Sequence, residues 1–275
     1  MDFNIKLSNG QILRGVIKSP GEHLKAVIIM IHGLGEHMQL YNHWAEMFNT
    51  KGIGFAGVDL PGHGRSDGRR GHIKSYTLIE ELTDTLINES RKTFPGVPVF
   101  LYGHSMGGGI VLDYLLRKKP KIKGAVVTSP WLRLSFEPDK LKLMVAAILK
   151  RIMPGLVLSS GLIPDQLSHD SKLVEDYAND PLVHFRVSVS LFHGTVRAAE
   201  HSLSTAAQLI IPVLLLHGSD DPITSPEASR EFAGKSKLVE FRLFEGGYHG
   251  LHYELFKEEV FTVIINWIEK RLASN

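Results

Sequence analysis

The sequence predicts an α/β protein: a mostly parallel central sheet flanked by helices, with an inserted helical cap. Three observations predict it. Short apolar runs alternate with amphipathic helical stretches up to about residue 130. Between residues 131 and 205 that rhythm breaks, and prolines and glycines interrupt helix-rich sequence with no clear buried strand. It resumes at residue 213. Strands alternating with helices pack as a parallel sheet covered on both sides. The expected division is a core of residues 1–130 and 206–275 and a cap of residues 131–205.

The elements follow in order. Residues 3–7 and 12–17 are strand-like and meet at Asn9-Gly10, a strong hairpin signal. Residues 26–31 are continuously apolar, which suits a strand buried on both faces. Helical periodicity covers residues 41–51. Residues 55–58 form another buried-type strand before a loop rich in Gly, His and Arg. A helix is expected over 76–93, a strand over 97–102, a helix over 106–118 and a strand over 122–128. Beyond the cap come a strand at 213–216, a helix from Pro226, a strand at 238–244 and a final helix from His252 to Leu272.

Composition narrows the function. The 275 residues are 43% hydrophobic and 22% charged, ordinary globular values that exclude a largely disordered or fibrous chain. Basic and acidic side chains number 31 and 29, so no electrostatic case for nucleic acid exists. Cysteine is absent, which removes disulfides, thiolate metal sites and a cysteine nucleophile. No H-E-x-x-H or paired ligand spacing is present, and neither metal nor cofactor is expected. The first residues, MDFNIKLSNGQ, lack the basic start and apolar run of a signal peptide. The apolar run at 143–149 is far short of the ~20 residues that span a bilayer. The expected location is cytoplasmic, peripheral to membrane where the cap meets lipid.

Chemistry concentrates at Gly103-His104-Ser105-Met106-Gly107, a G-x-S-x-G pentapeptide between an apolar strand and an amphipathic helix. That is where a nucleophile elbow must lie, lifting Ser105 above the sheet edge on a strained turn. Gly107-Gly108-Gly109 is followed by no Lys-Ser/Thr pair, so it is not a phosphate loop. A serine hydroxyl needs a base, and the base needs an orienting carboxylate, in the chain order Ser, acid, His. Of the 14 histidines only His249 and His252 lie late enough. His249, in a glycine-rich loop after an apolar strand, is the expected base, and His252 the expected start of the last helix. Asp220 and Asp221 both qualify on spacing as the acid. Oxyanion donors are expected at the backbone N–H of Met106, after the nucleophile, and of Leu34, in His32-Gly33-Leu34-Gly35. His63, His72 and His217 are expected to be structural.

The chain resembles the monoacylglycerol lipase and lysophospholipase group of α/β-hydrolases. The resemblance rests on HGLGEH from His32, DLPGHGRSDGRRGH from Asp59, GHSMGG from Gly103, SPWL from Ser129, HGSDDPITSP from His217 and EGGYHGLHYE from Glu245. It implies the α/β-hydrolase fold, Ser105 as nucleophile, His249 as base, and Asp221 rather than Asp220 as acid, from the G-S-x-D motif. It also supports Leu34 and Met106 as oxyanion donors. It further implies that Glu36 and His252 serve the polar end of a glycerol pocket, and it sets Leu40 where the group carries an arginine. The implied substrates are acyl esters and monoacyl lipids, with the cap touching a membrane or micelle surface. A broad carboxylesterase or a lysophospholipase would use the same triad. An inactive binding protein would not be expected to keep Ser, Asp and His. The cap segment 139–158, with its leucines, isoleucines and methionines beside Lys140, Lys142, Lys150 and Arg151, either packs on the core or lines an acyl tunnel.

Overall fold

Buried parallel strands must be apolar on both faces, and the strand at Ala26–Ile31 is buried at every residue. In the computed structural model, which describes residues 1–21, 23–136 and 152–273, this strand (β3) lies near the middle of an eight-stranded sheet. Its partners are β1 (Asp2–Lys6), β2 (Ile12–Lys18), β4 (Ile53–Val58), β5 (Val99–His104), β6 (Gly124–Thr128), β9 (Val213–Gly218) and β10 (Val239–Phe244). The order is β1-β2-β4-β3-β5-β6-β9-β10. The β1–β2 hairpin and the β2–β4 pair are antiparallel; the remaining pairs are parallel. The fold class expected from the sequence is thus observed.

Each sheet face buries its own core, because side chains alternate along a strand. Ile29 and Ile31 of β3 join a cluster with α2 (Thr77–Thr93), α3 (Met106–Lys118) and α6 (Pro226–Gly234). Ile28 and Met30 face the other way, onto Trp44 and Phe48 of α1 (Asn42–Thr50) and Phe261 and Trp267 of α7 (Lys257–Ala273). The chain reverses its winding at β3, whose neighbours are β4 and β5. In open α/β sheets such a switch point opens a crevice at the carboxyl ends of the strands.

Between β6 and β9 lie α4 (Ser171–Asn179), α5 (Val189–Thr205) and a two-stranded ribbon of β7 (Val157–Ser159) and β8 (Arg186–Ser188). Asp170 caps α4 by accepting the Leu173 N–H at 3.1 Å. The ribbon is short and half-exposed, which is why no buried-strand pattern marks it. The cap segment expected at 139–158 falls, up to residue 151, outside the described residues. Several element boundaries differ from expectation, and two of them border the site. Strand β5 runs on through Gly103-His104, and the last helix starts at Lys257 instead of His252. Tyr253 N–H bonds to Gly250 O at 2.7 Å, keeping the chain in tight turns until the acidic first turn at Glu258 and Glu259.

Candidate active site

The G-x-S-x-G turn holds Ser105 at φ 54° and ψ −120°, between the end of β5 and the start of α3. A non-glycine residue reaches that conformation only under strain. The turn is also crowded. A Cβ at Gly107 would stand 2.0 Å from Ile31 O, and one at Gly103 would stand 2.5 Å from Gly107 O. Both glycines are therefore required by close backbone approach.

Three loops at the carboxyl edge of the sheet bring the remaining groups to this serine. His249 follows β10 and sets Nε2 2.8 Å from Ser105 Oγ. Its Nδ1 lies 2.8 Å from Oδ2 of Asp221, which follows β9. Serine, histidine and aspartate are 8%, 3% and 4% exposed, so the relay is shielded yet open at the serine. Burial alone would raise the Asp221 pKa. The neighbouring His249 and the hydrogen bonds from His217 and His249 outweigh it and hold the carboxyl well below the usual range. Asp220 is exposed, and its Oδ1 accepts from Ser219 Oγ at 2.7 Å. The structure thus separates two aspartates that spacing alone left open.

The loop of Gly33 and Leu34 passes close to Ser105. A Cβ at Gly33 would stand 3.2 Å from Ser105 Cβ, and Leu34 lines the Ser105 cavity. Met106 opens α3 next to the serine. Beside Ser105 an apolar cavity of about 110 Å³ is walled by Trp131, Leu134, Leu162, Val187 and Phe192, among others. A groove of about 660 Å³ shares Trp131, Leu134, Phe136 and Phe192 with it and runs on between α5 and α6. Such walls suit an acyl chain.

Glu36, His252 and Leu40 are not among the described residues that line the Ser105 cavity. Glu36 is buried, accepting Gly33 N–H at 2.7 Å and Tyr41 O–H at 2.6 Å. Desolvation raises its pKa against those two hydrogen bonds. It ties the Gly33 loop to Tyr41. His252 is fully buried, stacked on Tyr41 with ring centroids 4.8 Å apart. Burial, then repulsion from His104 and His43, drives its pKa well below the ordinary value. Leu40 is half-buried and packs with Leu167, Tyr177 and Tyr253. Among the described residues these three positions are engaged in packing and in support of the Gly33 loop.

Sequence reasoning passed over three contributors. His217 Nε2 lies 2.9 Å from Asp221 Oδ2, and Thr224 Oγ1 lies at the same distance. Ile223 N–H and Thr224 N–H donate to Oδ1 at 2.8 and 3.0 Å. The string HGSDDPIT carried this signal, since it sets His217 four residues before Asp221 and Thr224 three after. The third contributor is Glu254, whose Oε1 accepts the Tyr248 N–H beside His249. Among the described residues no group of His, Asp and Glu is placed to hold a metal ion.

Fold and site define a serine α/β-hydrolase. The chain belongs to the Hydrolase_4 family, described as serine aminopeptidase S33, whose model matches residues 22–255. It is 35% identical to a monoacylglycerol lipase of Paleococcus ferrophilus, whose crystal structure covers 94% of this chain and 99% of its own, with a TM-score of 0.87. It is 33% identical to phospholipase YtpA of Bacillus subtilis, over 86% of this chain and 92% of that protein. An abhydrolase domain-containing protein of Dictyostelium discoideum is 38% identical over 90% of this chain; the chain spans 27% of that protein's length. Among the described residues no helix is long and apolar enough to cross a membrane.

Proposed function

We propose that this serine ester hydrolase cleaves single-acyl lipids, monoacylglycerol foremost, to fatty acid and alcohol through an acyl-enzyme on Ser105. The observation that carries the reading is the apolar cavity opening directly beside the nucleophile. Ser105 Oγ attacks the ester carbonyl while His249 Nε2 takes its proton and Asp221 holds the imidazole. The N–H groups of Leu34 and Met106 receive the developing oxyanion. His249 then protonates the departing alcohol. Water, deprotonated by the same histidine, releases the acid and restores the serine.

Residues 131–205 act in this reading as a cap over the acyl site, supported by the walls that Trp131, Leu162, Val187 and Phe192 contribute. Ile152, Met153, Leu158 and Ile163 of that segment are exposed, which supports contact with a lipid surface and a peripheral location. A second reading, lysophospholipid cleavage, is favoured by the kinship with the Bacillus subtilis phospholipase.

The test is kcat/KM for 1-lauroylglycerol, lauroyl lysophosphatidylcholine and ethyl laurate, beside fluorophosphonate labelling of wild type and Ser105→Ala. Labelling confined to wild type and a highest value for the glycerol ester are expected. A highest value for the choline lipid would move the assignment to the second reading. Turnover unchanged in Ser105→Ala would overturn both.

A further inference from the structure

His249 sits in a loop, Gly246-Gly247-Tyr248-His249-Gly250, that belongs to no strand or helix and carries three glycines. A general base must nevertheless be held to within a fraction of an ångström. The two amides that flank His249 show how. Tyr248 N–H donates to Oε1 of Glu254 at 2.7 Å, and Gly250 N–H donates to Leu167 O at 2.7 Å. Glu254 is wholly buried. Its carboxylate also accepts the His169 N–H at 3.3 Å and lies 3.1 Å from His169 Nδ1. The His169 ring sits over Tyr248, with centroids 3.9 Å apart. Ser168 Oγ–H completes the set by donating to Tyr253 O at 2.8 Å.

Leu167, Ser168 and His169 form one turn of the segment between β6 and β9, 85 residues from Glu254 in sequence. That turn also packs against the acid's loop, for Leu167, Tyr177, Tyr253 and Ile223 form one buried cluster, and Ile223 N–H bonds to Asp221.

We propose that Glu254 is a positioning residue for the general base, and that the 167–169 turn latches onto it so that His249 is aligned only while the latch is engaged. The inference rests on the triad reading above. Glu254 touches none of Ser105, His249 and Asp221 through a hydrogen bond; it acts through Tyr248. Its removal should therefore depress turnover more than acyl binding, because Glu254 is not among the described residues that line the acyl cavity.

The test compares Glu254→Ala, Glu254→Gln and His169→Ala in the full chain. It reads kcat and KM for a nitrophenyl ester, the melting temperature, and the downfield proton resonance of His249 Nδ1–H bonded to Asp221. Glu254→Ala should lower kcat about 100-fold, the scale of a 1 Å misplacement, with KM within threefold and the resonance broadened or lost. Glutamine, which keeps an acceptor for Tyr248 N–H, should restore kcat to within about tenfold of wild type. His169→Ala should fall between. Wild-type kcat and an intact resonance in Glu254→Ala would overturn the proposal. If that variant does not fold, a wild-type kcat and resonance in His169→Ala would do so. If His249→Ala itself keeps full turnover, the triad reading fails, and that result is separate from any Glu254 outcome.

Discussion

Asp221 Oδ2 lies 2.8 Å from Nδ1 of His249, while the other oxygen of the same carboxylate takes two backbone N–H groups. The acid is thus fixed in the plane it needs before any substrate arrives. Asp221→Asn should keep the shape but lose the charge that orients the imidazole and stabilises its protonated form, lowering kcat about 10³- to 10⁴-fold. Asp220→Asn, on an exposed side chain, should change kcat less than threefold. Steady-state kinetics of the two variants check the assignment, and a severe Asp220 variant would reverse it.

Acid should destabilise this protein early. Desolvation holds His32 and His184 down to about 4 and leaves His63, His104 and His252 well below the ordinary imidazole value. The unfolded chain gains these protons near pH 6.5, whereas the folded chain holds His32 and His184 neutral down to about pH 4 and keeps the other three rings neutral well below pH 6.5. Stability is therefore full above about pH 6.5 and falls as pH drops toward 4, at up to ~1.4 kcal/mol per unit for each histidine. Thermal melts should show a constant Tm from pH 7.5 to 8.5 and a drop of roughly 10 °C or more by pH 5. A Tm unchanged down to pH 5 would mean that these rings are already charged in the native state.

Acyl length should set the rate. Each CH₂ removed from water is worth ~0.8 kcal/mol, about fourfold in kcat/KM, until the walls of the cavity and groove are used up. Val187 lines the narrow part of that path. Val187→Trp should cut kcat/KM for dodecanoyl esters at least tenfold while butanoyl esters stay within threefold. Equal losses on both would place the acyl chain elsewhere.

What the sequence made legible follows from range. Strand runs, helix periods and the elbow are local patterns, so β3, α3 and Ser105 could be read directly from the letters. His249 followed from chain order. Choosing Asp221 over Asp220 needed a resemblance, because both sit one turn past β9 and only folding shows which carboxylate turns inward. The latch on Glu254 was illegible for a stronger reason. Its partner His169 lies 85 residues away, and no periodicity records that distance. The contacts of Glu36 and His252 were illegible for a similar reason: the motif gives the letters, whereas the partners Gly33 and Tyr41 that bury them appear only on folding.

The headgroup should be weakly read. An arginine bonding a glycerol hydroxyl would add roughly 1.5–3 kcal/mol, about 10- to 150-fold over a simple alcohol. This chain has Leu40 at that position, and its Glu36 is already committed to Gly33 and Tyr41. The preference for 1-lauroylglycerol over ethyl laurate should then stay below about 100-fold. Leu40 sits against Leu167, Tyr177 and Tyr253, and its carbonyl accepts the Tyr253 O–H at 3.5 Å. Leu40→Arg should accordingly leave the ratio of the two kcat/KM values within threefold. It should also lower Tm, since a guanidinium would be pressed into a largely apolar cluster. A tenfold rise in the ratio would show that this position faces the departing alcohol after all, and that Leu40 itself keeps the enzyme permissive.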